Sequence, residues 1–292
     1  MPISKGEKIF NIINSIFLTA VALFCLAPMI YMLAVSLSDN AQVVAGNVTF
    51  WPKKFTTATY EYLLSYKAFW KSMGISITRT ALSLVLTLCL TVLSAYPLSK
   101  SPGKFYGRSI FAWYFFIPML INGGLIPTYM IISRLGLIGR LWALILPSAV
   151  TVFYVMLLLN FSAGFRRNWR GRPAGRRRAV DHPCQDFLPL ATPALATIVV
   201  YCSLAQWNEW FNGIIYMKTP SQYPLMSYLQ ATVLNVDMES LSAEEQMKMA
   251  SIGTDTYQAA QLFIAALPML CLSVYAEIFY KGVGNGKRKR VI

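Results

Sequence analysis

Apolar residues in this chain neither alternate nor keep to one helical face; they come in long stretches parted by short polar and charged segments. From Ile16 to Val35 the run is broken only by small polar residues and Pro28. Five further stretches follow, so that apolar segments cover Ile9 to Ser36, Gly74 to Leu98, Ile110 to Ile132, Leu141 to Phe161, Phe187 to Met217 and Ala259 to Tyr280. A helix needs about 20 mostly apolar residues to cross a hydrocarbon core of about 30 Å, because its backbone polar groups find partners there only within the helix. The pattern predicts an all-α polytopic membrane protein of about six transmembrane helices, built as one domain over residues 1–292.

The first stretch follows Lys5 and Lys8 and so resembles a secretory signal at its start. Its apolar part exceeds the roughly 7 to 15 residues of a signal core, and no small-residue cleavage site follows. It is expected to remain as a membrane anchor.

Composition agrees with lipid as the solvent. The chain is 56% hydrophobic with a mean hydropathy of +0.49, and only 13% charged against about 25% in soluble domains. Four of the five cysteines (Cys25, Cys89, Cys202, Cys271) fall inside predicted spans, poorly placed for an extracellular disulfide framework.

The net charge of +14 would suggest nucleic acid in a soluble protein, but here it gathers on alternate loops. Lys5 and Lys8 precede the first span, Lys100, Lys104 and Arg108 follow the second, an arginine cluster follows the fourth, and Lys281 and Lys287 to Arg290 follow the sixth. The positive-inside rule places these segments and both termini in the cytoplasm. Lys53, Lys54, Lys67 and Lys71 in the first outside loop run against that orientation, whereas Asp237, Glu239, Glu244, Glu245 and Asp255 after the fifth span fit it. The aromatic residues between Phe50 and Trp70 suit the membrane interface. A short amphipathic helix is expected near Leu225 to Val233.

No P-loop, dinucleotide fingerprint or zinc spacing is present, and His182 is the only histidine. Neither catalysis, nor a metal, nor a cofactor is expected of this chain. Polar residues within spans are the remaining candidates, because they are costly in lipid and face a bundle interior or a cavity. Gln206, Trp207, Asn208, Glu209, Trp210 and Asn212 form one such cluster late in the fifth span. Sugar rings present apolar faces edged by hydroxyls, so aromatic faces with amides and a carboxylate suit them. An interfacial tryptophan belt with interhelical hydrogen bonds explains the cluster equally well. In the third span Asn122, Gly123, Gly124 and Pro127 interrupt an apolar helix, as a kink or close packing site, or as a broken-helix substrate site. Arg79 is expected to snorkel or to line a subunit contact.

These residues also carry a resemblance. Gly123-Gly124-Leu125-Ile126-Pro127-Thr128-Tyr129, then Leu141-Trp142-Ala143-Leu144-Ile145-Leu146-Pro147, resembles the carbohydrate ABC-importer permeases related to the second permease of the maltose transporter. Leu188-Pro189-Leu190, Pro193-Ala194-Leu195-Ala196-Thr197 and Trp207-Asn208-Glu209-Trp210-Phe211-Asn212 extend it, so that it covers most of Ile9 to Tyr280. The resemblance implies a permease subunit in the bacterial cytoplasmic membrane that moves a sugar or oligosaccharide. It also implies a second permease, a cytoplasmic ATPase dimer that hydrolyses the ATP, and an extracellular or periplasmic sugar-binding protein as partners.

One part of the pattern is missing. Such permeases carry a Glu-Ala-Ala coupling segment followed by Gly in the loop after the fourth span, where the ATPase docks. Here residues 162–186 hold seven arginines between Arg166 and Arg178. Arg167, Asn168, Trp169, Gly175, Arg176 and Arg177 occupy the expected coupling positions. A polybasic loop on anionic lipid is one reading, a nucleic-acid patch a poor one for this topology, and a shifted reading frame the third.

The genetic code bears on the third. Re-reading Phe161 to Arg170 as the last base of each codon plus two of the next permits Phe-Arg-Gly-Ile/Leu-Pro-x-Glu-Leu-Glu. Taking two bases plus one from Gly175 to Phe187 permits Asp-Gly-Ala-x-Pro-Trp-Thr-Thr-Leu-Ala-Arg-Ile, leading into Phe187-Leu188-Pro189-Leu190. Both strings resemble the missing pattern, in the expected order, so three single-base losses are expected behind this loop. The alternative function is a non-transporting membrane scaffold or sensor that binds anionic lipid through its arginines.

Overall fold

The computed structural model describes residues 5–99, 105–121, 123–170, 188–234, 247 and 251–269. The described residues are mainly helical and contain no strand beyond an isolated bridge between Ser38 and Phe55. The helices are α1 (Lys5–Ser36), α2 (Asn40–Val44), α3 (Ala58–Ser65), α4 (Lys67–Leu98), α5 (Arg108–Leu120), α6 (Leu125–Arg134), α7 (Trp142–Ile145), α8 (Val152–Arg170), α9 (Leu188–Asn208), α10 (Phe211–Tyr216), α11 (Leu225–Leu234) and α12 (254–269).

Two helices are long and apolar enough to cross a membrane unaided, over Gly6–Ser36 and Lys67–Leu98, and the described residues hold up to four such spans if each bent pair counts as one. The stretch expected from Ile110 to Ile132 is not one helix: α5 and α6 meet at 117°. Gly124 explains part of this, since its φ of 81° is a left-handed conformation that a side chain disfavours. In the Leu141 to Phe161 stretch, α7 with the 3₁₀ turn Leu146–Ser148 meets α8 at 45°. Pro147 sits in that turn, lacking an N–H to continue the helix. Of the expected sixth span, α12 supplies the part up to 269, and the remainder lies outside the described residues.

The chain forms two compact units. The first comprises Met1–Trp70 and Ala231–Leu267. Most of α1 is exposed along its apolar length, as a lipid-facing helix would be, and only its end is buried: Ala34 and Val35 pack with Val48 and Ala259. The loop after it is fixed by Ser38, whose Oγ accepts the Lys53 N–H at 3.0 Å, and by Thr56 N–H donating to the Leu37 carbonyl at 3.0 Å. Asp39 caps α2 by accepting from Ala41 N–H at 3.0 Å. The aromatic residues expected at the interface divide: Phe69 is fully buried, while Phe50, Trp51, Phe55 and Trp70 stay exposed.

The second unit comprises Lys71–Gln230 and Pro268–Ile292. Its main core is made by Ala95 and Leu98 of α4, Tyr154, Val155 and Leu158 of α8, and Ala191, Ala194, Ile198 and Cys202 of α9. A second cluster joins Ile132, Ala143, Leu144, Tyr216 and Met217. In α4 the polar residues Ser72, Ser76, Arg79, Ser83, Thr87 and Thr91 recur at intervals of three and four and are all buried. That spacing puts them on one face, turned inward as lipid requires of polar groups.

Candidate functional site

The fifth apolar stretch, expected as one helix from Phe187 to Met217, is broken. α9 ends at Asn208, residues 209 and 210 are not helical, and α10 starts at Phe211. A break at this point frees backbone carbonyls and N–H groups from the helix, and those packed in the protein need partners there.

Side chains of the second unit supply several of these partners, and the Trp210 carbonyl also accepts the Ile214 N–H at 3.4 Å. Arg79, 2% exposed, donates through Nη1 to the Glu209 carbonyl at 3.1 Å and through Nη2 to Glu209 Oε2 at 2.8 Å. Glu209 Oε1 accepts the Asn212 N–H at 2.8 Å, capping the start of α10. The Ser227 hydroxyl donates to the Trp210 carbonyl at 2.7 Å. One turn before Arg79, Ser76 Oγ accepts the Leu225 N–H at 2.7 Å and so fixes the start of α11. A single helix, α4, thereby holds both the break and the segment packed beneath it.

Arg79 therefore does not snorkel. Its guanidinium turns into the unit because an isolated charge in lipid is costly and Glu209 is the only acidic residue among the second unit's described residues. Sequence reasoning selected Glu209 but missed Arg79 as its partner, 130 positions away. The signal was there: Arg79 falls in the serine and threonine spacing of α4, which marks its inward face.

The other predicted residues separate into two groups. Gln206 and Trp207 are buried, and Gln206 Nε2 donates to Ser148 Oγ at 2.8 Å, tying α9 to the bend of the fourth stretch. Asn208 is exposed, and its Nδ2 donates only to the Leu204 carbonyl one turn back, at 3.0 Å. Asn212 lies half-buried on α10. Gly123 and Gly124 form the turn between α5 and α6, and Asn122 lies outside the described residues. Of the expected coupling positions, Arg167, Asn168 and Trp169 continue the backbone of α8; Gly175, Arg176 and Arg177 lie outside the described residues. Among the described residues no group of three or more His, Cys, Asp or Glu side chains is placed to hold a metal.

The chain is a homologue of the permease subunits of sugar-importing ABC transporters. It is 29% identical to Protein LplC of Bacillus subtilis (strain 168) over 294 residues, covering 98% of this chain and 97% of LplC. It is 28% identical to the polygalacturonan/rhamnogalacturonan transport system permease protein YtcP of the same organism, covering 97% of this chain and 99% of YtcP. Among solved structures it matches a bacterial ABC transporter involved in the import of the acidic polysaccharide alginate, with a TM-score of 0.82 and 27% identity over 96% of this chain and 100% of that one. No protein-family model matches the chain.

Proposed function

We propose that the chain is one permease subunit of an ATP-driven ABC importer that carries a sugar or oligosaccharide across the bacterial cytoplasmic membrane, and that it supplies half of the translocation path. It crosses the membrane about six times as a single transmembrane domain, with both termini cytoplasmic. The partners in this reading are a second permease, a cytoplasmic ATPase dimer that hydrolyses the ATP, an extracellular or periplasmic sugar-binding protein, and membrane lipid. Nucleic acid is not among them. The observation that carries the reading is similarity along the whole length of permease relatives. Relatives named for polygalacturonan and rhamnogalacturonan, for arabinooligosaccharides and for lactose support a sugar as cargo. Nothing in the comparisons or the structure favours a lipid-binding scaffold.

The substrate path in this reading runs past the turn at Asn122, Gly123 and Gly124 and past the break formed by Gln206, Trp207, Asn208, Glu209 and Asn212. Non-helical backbone at membrane depth is tolerated where it is packed in protein or lines a cavity, and transporters place substrate at such interruptions. The ATPase contact falls on 162–186, including Arg167, Asn168, Trp169, Gly175, Arg176 and Arg177, where a displaced reading frame has replaced an acidic and apolar segment with a cationic one.

Affinity purification of the tagged chain from its own host in mild detergent tests the assignment. A second permease is expected to co-purify, and deleting the gene is expected to abolish uptake of one sugar or oligosaccharide. Recovery of the chain alone, together with unchanged uptake across a panel of oligosaccharides, would sink the proposal.

A further inference from the structure

The ion pair at the break does more than keep two charges out of lipid. Arg79 is 2% exposed and Glu209 25%, so the desolvation cost of the pair falls mainly on the guanidinium, which is bonded to both the carbonyl and the carboxylate of Glu209. The consequence of the pair is directional. Among the described side chains of α9 the exposed ones are Tyr201, Ala205 and Asn208, spaced by four and three and hence on one face. Beyond the break Trp210 and Phe211 are also exposed, at 40% and 45%, whereas Gln206, Trp207 and Gly213 are buried.

The break thus sets two aromatic rings, 5.7 Å apart and edge to face, close after an exposed amide whose carbonyl oxygen is free to accept. Rings with an accessible amide suit a sugar, whose apolar C–H faces stack while its hydroxyls need hydrogen bonds. We infer that Arg79 is a positioning residue of the sugar path: through Glu209 it holds the break that brings Trp210 and Phe211 next to Asn208 as one half-site for a sugar ring, without touching the sugar itself. The sugar in this inference rests on the reading as a sugar-importer permease; the positioning does not.

The test separates the two. In the full chain with its five cysteines replaced, Phe211→Cys beyond the break and Asn208→Cys before it are labelled in membrane vesicles with a charged methanethiosulfonate reagent. Arg79→Ala removes the donor to the Glu209 carbonyl and Glu209→Ala the acceptor of the Asn212 N–H, so each should change labelling at Phe211→Cys by about tenfold and at Asn208→Cys by less than about twofold. The exchange Arg79→Glu with Glu209→Arg keeps an ion pair but can remake neither the bond to the residue-209 carbonyl nor the one from the Asn212 N–H, so it should not restore the original rate. Where Arg79→Ala does not accumulate, Arg79→Lys decides instead: a single ammonium cannot serve both the carbonyl and the carboxylate of Glu209, so labelling at Phe211→Cys should still change while that at Asn208→Cys is kept, and no change at either would overturn the role. Unchanged labelling at Phe211→Cys in the alanine variants, or equal changes at both positions, would overturn the positioning role. Uptake of labelled galacturonate oligomers and of maltotriose by the complete importer then tests the half-site. Asn208→Ala and Phe211→Ala should raise the half-saturating concentration of the transported sugar by about tenfold at unchanged maximal rate, and a loss of maximal rate alone would remove the half-site. If the unsubstituted importer takes up neither sugar, the assignment to these sugars fails while the labelling still decides what Arg79 does.

Discussion

The Ser227 hydroxyl occupies the space into which a Cβ on Gly213 would project. It lies there because it donates to the Trp210 carbonyl at 2.7 Å, while Pro224 Cδ closes the other side at 3.1 Å from the same point. Close approach, not a left-handed φ, therefore explains this glycine. Gly213→Ala must displace either the cap on the broken helix or α10 itself. Overfilling a packed site costs about 1–3 kcal/mol, so a lower melting temperature and reduced accumulation in the membrane are expected. Thermal unfolding of the detergent-solubilised chain checks this. Adding Ser227→Ala should recover only part of the loss, since the Ser227 Cβ would also meet the new methyl.

Two amides two positions apart should behave oppositely. Gln206 is buried and bonded to Ser148 Oγ, so Gln206→Leu leaves that bond unmade and should cost about 1–2 kcal/mol in thermal stability. Asn208 is exposed and bonds only within its own turn, so Asn208→Ala should leave stability within about 0.5 kcal/mol of the original. Comparing the melting temperatures of the two variants with their uptake decides whether the sequence cluster is one site or two. Equal destabilisation would mean that Asn208 belongs to the packing.

Two of the spans were legible because lipid imposes a length and an apolarity that few other environments demand: α1 and α4 lie close to where the pattern places them. The short helix expected from Leu225 to Val233 is α11. Interruptions were legible only in part. Gly124 and Pro127 announce a break in the third stretch through their own backbone limits, whereas nothing local in Trp207-Asn208-Glu209-Trp210 stops a helix. The side chains bonded at that break, Arg79 and Ser227, are brought close only by folding, and single-segment reasoning has no access to them. The residue types suit a sugar-facing cluster and an interfacial belt equally well, and burial divides them, because adjacent positions on a helix point about 100° apart.

In the first unit, Gly253 has a φ of 81° and would set a Cβ against the Asn40 side chain. Two penalties act together there, the left-handed conformation and the collision. Gly253→Ala should therefore destabilise by about 2–4 kcal/mol, more than a surface alanine substitution at Gly46, where φ is also positive but nothing lies within 4 Å. Proteolytic susceptibility of the membrane-embedded chain, compared for the two variants, measures the difference, and equal behaviour would show that conformation alone matters.

The printed loop makes the sharpest forecast. A coupling segment must present apolar and acidic groups to an ATPase, and 162–186 presents seven arginines between Arg166 and Arg178 with glycines and prolines among them. Like charges repel one another and the breakers oppose a docking helix. Resequencing from the codon of Asn160 to that of Leu190 is expected to reveal three additional bases. The chain with those bases restored should co-purify with the ATPase and support uptake, whereas the chain as printed should insert, pair with the second permease and leave the ATPase behind. Confirmation of the printed bases, with normal uptake, would show instead that the arginine loop itself carries the drive from the ATPase, and the frame-shift reading would then be abandoned.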